Sequence, residues 1–150
     1  EFRRVLFRSA NLTGADLSYS TLVGADLKGA QLAGAKLTRA DLSHSTLIGA
    51  DLSRAKLQSA KLVLTRLAAA NLSSAFLRNA MLAWADLGFA DLGGANLRGA
   101  NLFRASLFKA DLTDADVTNA VLIEANFTRA TLTGVDLTPA QRETARGLDA

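Results

Sequence analysis

Few residues in this sequence are of the kind that perform chemistry, and their spacing favours none. His44 is the single histidine. It has no serine or cysteine nucleophile pattern around it, and it reads as a surface imidazole rather than a catalytic base. Cysteine is absent, which excludes a disulfide framework and thiolate chemistry. Carboxylates recur at a fixed offset: Asp91 and Asp111 are twenty residues apart, as are Asp116 and Asp136. Such pairs act as acid and base, or ligate a metal, when they converge in a pocket that excludes water. Here Asp is a recurring residue of a regular pattern, and a flat exposed face offers no such pocket. Gly93-Gly94 lacks the lysine and following helix of a phosphate loop. Asn11-Leu-Thr, Asn71-Leu-Ser and Asn126-Phe-Thr have the form of glycosylation acceptors, but the same pattern generates them. No catalytic, cofactor-binding or metal site is expected, and neither a cofactor nor a small-molecule substrate. The chain reads as non-enzymatic.

The pattern behind these residues is a period of five. Leucine occupies every fifth position from Leu12 to Leu137 except Val117 and Phe127. Two residues before each lies a second column, from Ala10 to Val135, which is alanine except at Ser20, Ser45, Thr65 and Val135. Five suits neither ordinary secondary structure. On a helix, successive leucines would move about 140° around the axis and form no apolar face. In a continuous strand, an odd spacing would send alternate leucines to opposite faces. Apolar spacings of two, three, two, three fit a short extended segment followed by a turn. Gly14, Gly24, Gly29, Gly34, Gly49, Gly94, Gly99 and Gly134 all fall on the second residue after the leucine, where such a turn lies. A corner every five residues predicts a square coil of twenty.

Units such as Ala-Asp-Leu-Ser-Arg at 50–54 and Ala-Asn-Leu-Arg-Gly at 95–99 make residues 10–140 resemble the pentapeptide-repeat proteins. The resemblance implies an all-β fold, a right-handed quadrilateral β-helix with leucines filling the interior and alanines near the corners. About six and a half coils stacked at roughly 4.8 Å give a rod about 31 Å long. One leucine per five residues cannot by itself offset the backbone entropy of ordering those five, so coil-to-coil hydrogen bonds must carry much of the stability.

Residues 1–9, EFRRVLFRS, fall outside the leucine pattern. The DNA string GAG TTC AGA CGT GTG CTC TTC CGA TCT encodes them and matches a widely used sequencing-library adapter. They are therefore set aside as a non-native, adapter-derived segment fused to a gene fragment. On that reading the true N-terminus is missing from the sequence, and with it any upstream coils, cap, second domain or signal peptide. The whole chain has 17 basic and 14 acidic residues, and setting aside three arginines and one glutamate leaves 14 and 13, a net charge of +1. At the other end Thr138-Pro139-Ala140-Gln141 has the form of a capping box. It predicts a short helix to about Arg146 with Gly147 as C-cap, so that residues 141–150 form a helical cap or tail. No apolar run is long enough to span a membrane, and a cytoplasmic location is the expectation.

Residues twenty apart stack on one side of a square coil, so the outward positions sort into four faces. The face centred on Leu12 is small and polar, and the face centred on Leu17 carries Lys36, Lys56, Arg39, Arg78 and Arg98. The third face, centred on Leu22, brings together Val63, Leu64, Met81, Trp84, Phe103, Val121 and Ile123. An exposed apolar patch rich in Trp, Met and Phe is the composition of a contact site, and these seven residues are the candidate protein-binding surface. Phe89, Phe108 and Ile48 extend it on the fourth face. Charge also separates along the axis, basic from Lys28 to Arg78 and acidic from Asp111 to Asp136. The expected role is an interaction or scaffold module for a protein partner or a sister protomer. Similarity to the family's DNA-mimicking members suggests an alternative, a DNA gyrase or topoisomerase-binding protein of the quinolone-resistance type. Lys36, Arg54, Lys56, Lys61, Arg66 and Arg78 depart from the acidic rod which that role requires. A near-neutral net charge lacks the footprint of direct nucleic-acid binding.

Overall fold

A computed structural model describes residues 6–148. Residues 1–5 of the segment set aside above and 149–150 of the C-terminal tail lie outside the described residues. The fold follows from where the backbone hydrogen bonds go. Each five-residue unit consists of a bridge residue, an inward residue, two corner residues and an alanine, as in Asn11-Leu12-Thr13-Gly14-Ala15. The bridge residue pairs in parallel with the residue twenty further on: Asn11 with Gln31, Asp16 with Lys36, Thr21 with Asp41, Asp26 with Thr46. Four such columns define four sides, and no side is long enough for more than a single-residue bridge before the chain turns. A coil is thus held to the next by four narrow ladders instead of by extended strands.

The ladder is regular enough to count donors. Gln31 N–H donates to the Ala10 carbonyl at 2.9 Å, Leu12 N–H to Gln31 at 2.7 Å and Gly14 N–H to Ala33 at 2.9 Å, while Ala15 N–H closes the corner onto Leu12 at 3.0 Å. That leaves the N–H of the first corner residue without a backbone acceptor. Asp or Asn at the bridge position supplies one: Asn11 Oδ1 accepts from Thr13 N–H at 3.1 Å, Asp51 from Ser53 at 2.9 Å and Asp91 from Gly93 at 2.8 Å. The recurrent Asp/Asn is therefore a turn cap, since a backbone N–H left without a partner is costly.

Every second corner residue from Ser9 to Gly134 has positive φ, whatever its identity. This places the turn among those needing a left-handed residue at its third position, with glycine the unstrained choice. Leu64, Trp84 and Phe89 adopt φ of 56°, 61° and 59° in the same way. Each such residue costs about 1–2 kcal/mol relative to an ordinary conformation, a cost the surrounding ladder imposes.

Inside, the leucines from Leu22 to Leu112 and the alanines beside them are buried, and Val117 and Phe127 fill the same column. The polar exceptions in the alanine column are satisfied. Ser45 and Thr65 are fully buried, and both hydroxyls donate to the Leu42 carbonyl, at 2.6 Å and 2.9 Å. Leu12, Leu17 and Leu132, near the ends of the stack, are only partly covered.

Two features of the ends differ from the sequence expectation. Upstream of Ala10 the coil register continues: Leu6 bridges to Asp26, Phe7 N–H donates to Asp26 at 2.7 Å, and Ser9 N–H donates to Lys28 at 2.9 Å. Phe7 takes an inward position, so the described part of 1–9 is built as coil, in phase with the leucines though not itself leucine. Arg8 Nε also donates to the buried Asp26 carboxylate at 2.6 Å. At the far end, α1 spans Pro139–Thr144, starting at Pro139 as the capping box predicts, but its C-cap is Ala145, not Gly147. The capping box at Thr138 and Gln141 is present as expected. The Gln141 backbone N–H is turned to Thr138, and its side-chain Nε2 donates instead to the Val117 and Ala120 carbonyls, both at 3.0 Å. After the helix the chain returns to phase, with Arg146 bridged to Asn126.

Candidate interaction surface

The third side, Thr21–Gly24 and its stacked equivalents, carries the residues singled out as a contact surface. Its bridge column reads Thr21, Asp41, Lys61, Met81, Asn101, Val121. Leu64, Met81, Trp84, Val121 and Ile123 are exposed, and Val63 and Phe103 are half-buried. The seven do not form one sheet of apolar surface. Asn101 separates Met81 from Val121 in the bridge column, and Arg104 follows Trp84 at the corner. Val63, Leu64, Met81, Trp84 and Phe103 remain together as a central group. Val121 and Ile123 instead line a shallow apolar depression beside α1, with Ala140, Gln141 and Thr144.

The centre of the group is a stacked pair. The Trp84 and Phe103 rings meet edge to face at 5.9 Å between centroids, nineteen residues apart. That offset follows from the ladder, in which the second corner residue bonds to the first corner residue of the next coil: Trp84 N–H donates to the Phe103 carbonyl at 2.9 Å. The Arg104 guanidinium lies 4.8 Å from the Trp84 centroid and 5.2 Å from that of Phe103. It is held there by Glu124, through Nε at 2.6 Å and Nη2 at 3.2 Å. Arg146 adds a third contact to Glu124 at 3.1 Å. Hydrogen bonds from Arg104, reinforced by both guanidinium charges, hold the Glu124 carboxyl below the usual carboxylate range.

The same arrangement recurs one side further on. Phe89 and Phe108 pair edge to face at 5.5 Å, with Lys109 Nζ 5.4 Å and 5.5 Å from the two rings. Sequence sorting placed these aromatics on neighbouring faces but missed their pairing and the cations over them. The signal was an offset of nineteen between aromatics and of twenty to the cation, visible only once the slant of the ladder is known. Edge-to-face pairs of this kind contribute about 0.5–1.5 kcal/mol beyond area burial, and an exposed cation–π contact about 0.5–1 kcal/mol. Phe76, 43% exposed on the second side, is a further apolar residue that the third-face grouping left out.

The candidate chemical groups are engaged in structure. His44 is an exposed corner residue at φ 60°. Asp91 and Asp111 are bridge partners, but each carboxylate is turned to its own corner. Asp111 Oδ1 accepts from the Thr113 hydroxyl at 2.6 Å and N–H at 2.9 Å, and these bonds hold its carboxyl below the usual range. Asp116 is held low in the same way by Thr118, with Arg98 adding to the effect. A carboxyl kept ionised by its own turn is poorly suited to deliver a proton near neutrality. Among the described residues no group of three or more His, Cys, Asp or Glu side chains is placed to hold a metal, and no helix is long and apolar enough to cross a membrane.

The family model for pentapeptide repeats, in eight copies, matches residues 1–39, 25–63, 60–99, 80–116 and 100–138. No curated protein matches the chain. Among solved structures, the chain is similar to HetL, a pentapeptide repeat protein involved in heterocyst differentiation regulation from the cyanobacterium Nostoc sp. strain PCC 7120. The two are 30% identical over 98% of this chain and 86% of that one, with a TM-score of 0.43. Rfr23, a pentapeptide repeat protein from the cyanobacterium Cyanothece 51142, is 34% identical over 69% of this chain and 60% of that one, with a TM-score of 0.41. A trypsin-treated form of QnrB1, a plasmid-mediated fluoroquinolone resistance protein, is 19% identical over 85% and 79% of the two chains, with a TM-score of 0.48.

Proposed function

This chain belongs to the pentapeptide-repeat family, and from that premise we propose that it is a non-enzymatic interaction or scaffold module. Its contact for a protein partner is the third side, centred on Trp84. The observation that carries this reading is the stacked Trp84–Phe103 pair, in which an exposed Trp84 stands over a half-buried Phe103 with exposed Leu64 and Met81 beside it. Rigid aromatic anchors with little rotamer freedom to lose are the side chains that dominate interface energetics. In the same reading the coil is right-handed, runs to about six and a half turns and is capped by α1, so the anchor sits on a surface that does not deform on binding. The basic residues Lys36, Arg54, Lys56, Lys61, Arg66 and Arg78 disfavour a DNA-like acidic rod, and hence the gyrase-binding alternative.

The experiment is capture of partners from a lysate of the source organism on the immobilised chain, beside Trp84→Asp with Phe103→Asp. Both replaced side chains point outward, so the variant should keep the parent's cooperative unfolding. A partner held by the parent and lost by the folded variant supports the assignment, and retention of every partner refutes it. Gyrase among proteins retained by the variant would favour the alternative.

A further inference from the structure

From Lys36 to Asp136, leaving aside the terminal Asp16, the second side carries charges in an order that is its own complement when read backwards. Its bridge column runs Asp16, Lys36, Lys56, Phe76, Asn96, Asp116. Asp136 lies beyond Asp116, in one open depression of about 200 Å³ that Asp114 also lines. In signs, the column is negative, two positive, apolar, neutral, two negative. Part of this charge is satisfied within the molecule, Lys36 by Asp16 at 3.3 Å and Asp116 by Arg98 at 3.4 Å. Among the described residues Arg54, Lys56, Asp114 and Asp136 make no ion pair. Lys56 moreover stacks directly on Lys36, a like-charge pairing that a ladder tolerates only at a cost. Spare cations therefore collect at one end of a flat side and spare anions at the other.

We propose that this side binds a second copy of the chain, side by side and antiparallel. A twofold axis lying across the side, midway between Phe76 and Asn96, sets each column opposite itself in reverse order. Lys56 then meets Asp116 of the second copy, Lys36 meets Asp136 and Arg54 meets Asp114, and each contact occurs twice. The depression lined by Asp114, Asp116 and Asp136 receives Arg54 and Lys56, which make no ion pair in their own molecule, and Lys36, which is shared with Asp16. Phe76, exposed in the single chain, is covered next to the axis. Other arrangements are worse. A parallel pair sets like against like throughout, and an axis through Phe76 itself sets Asp16 against Asp136 and leaves Lys56 against Asn96. One unfavourable contact remains in the chosen register, Arg78 opposite Arg98, and it gives the test an improving variant. The contact is on a different side from Trp84, so a dimer and the partner proposed above can be held together.

Sedimentation of the full chain at about 10 mM and about 500 mM salt tests this, because surface charge pairs are screened at the higher value. A concentration-dependent dimer is expected at low salt and a monomer at high salt. Lys36→Glu with Lys56→Glu leaves the bridge column without a cation, and Asp116→Lys with Asp136→Lys leaves it without an anion except Asp16. Each variant alone should be monomeric, and an equal mixture should form a one-to-one heterodimer. Arg78→Glu should tighten the parent dimer by about tenfold or more, since it turns a repelling pair into an attracting one twice over. Trp84→Asp with Phe103→Asp should leave dimerisation unchanged, which separates this contact from the third-side one. All the replaced residues are outward-facing, and cooperative unfolding verifies each variant's fold. A parent that is monomeric at low salt overturns the proposal. So does a dimer indifferent to the Lys36 and Lys56 replacements, or failure of the two charge variants to associate with each other.

Discussion

The interior and the corners of this rod obey opposite rules. Along the inward column the side chain is dictated and the environment is constant: Leu27 to Leu112 are buried to within 1% of full coverage. At the second corner position the backbone is dictated and the side chain is free. Glycine, arginine, leucine and tryptophan all take the same left-handed φ there. The interior thus selects residue type through packing, while the corner accepts almost any residue and makes each non-glycine bear strain. The fold is specified by one set of positions, which leaves another set available for recognition.

The sharpest way to break this contrast is to treat an inward position as if it were a corner. Leu72→Asp places an unpaired carboxylate in the middle of the stack and should cost several kcal/mol. Loss of the cooperative thermal transition, followed by circular dichroism, is the expected result, and a variant as stable as the parent would contradict a closed interior. A smaller effect is expected where a bridge residue is covered by a cation of the preceding coil. Asp26 is 3% exposed and accepts from Arg8, so Arg8→Ala should lower stability by about 1 kcal/mol. An unchanged denaturation midpoint would mean that residues 1–9, set aside above as non-native, contribute nothing to the stack.

Two adjacent alanines sharpen the comparison further. Ala70 is buried and Ala69 is an exposed corner residue at φ 55°. Ala70→Gly should destabilise and Ala69→Gly should stabilise, each by about 0.5–1 kcal/mol. Melting temperatures moving in the same direction would mean that the corners bear no strain. The smallest effect concerns titration. Asp111 and Asp116 have folded-state pKa values below the usual range. The stability they contribute is therefore present above the ordinary carboxylate pKa, about 4, and is lost as pH falls through the lower folded value. Asp111→Asn keeps the acceptor for Thr113 but cannot titrate, so its melting temperature should match the parent's at neutral pH and fall less steeply below about pH 4.

The period of five carried the architecture because it is written in side chains that pack. Leucine and alanine at spacings of two and three led to corners, and corners led to a coil of twenty, matching the observed bridges. What stayed hidden belongs to the backbone and to offsets between coils. The meaning of the Asp/Asn positions lay in an N–H left over by the ladder, which no composition reveals. The Trp84–Phe103 and Phe89–Phe108 pairs depend on a slant of one residue between neighbouring coils. Phe7 hides the register of residues 6–9 because it fills an inward position with a residue other than leucine. The helix start was legible at Thr138 and Gln141, but its end was not. Gly147 has the left-handed φ of a C-cap, yet the ladder recaptures the chain one residue earlier, at Arg146.

The turn-capping role of the bridge residue has a consequence for how such rods diversify. Only one side-chain oxygen is needed to accept from the corner N–H, and Asn and Asp present it equally well, as at Asn71 and Asp91. Exchanging one for the other alters the surface by a full unit of charge while leaving the backbone and its hydrogen bonds in place. Electrostatic potential can therefore drift site by site along the rod, almost independently of folding stability. A single scaffold can in this way be acidic, neutral or striped, and its selectivity for partners can be rewritten without touching the interior.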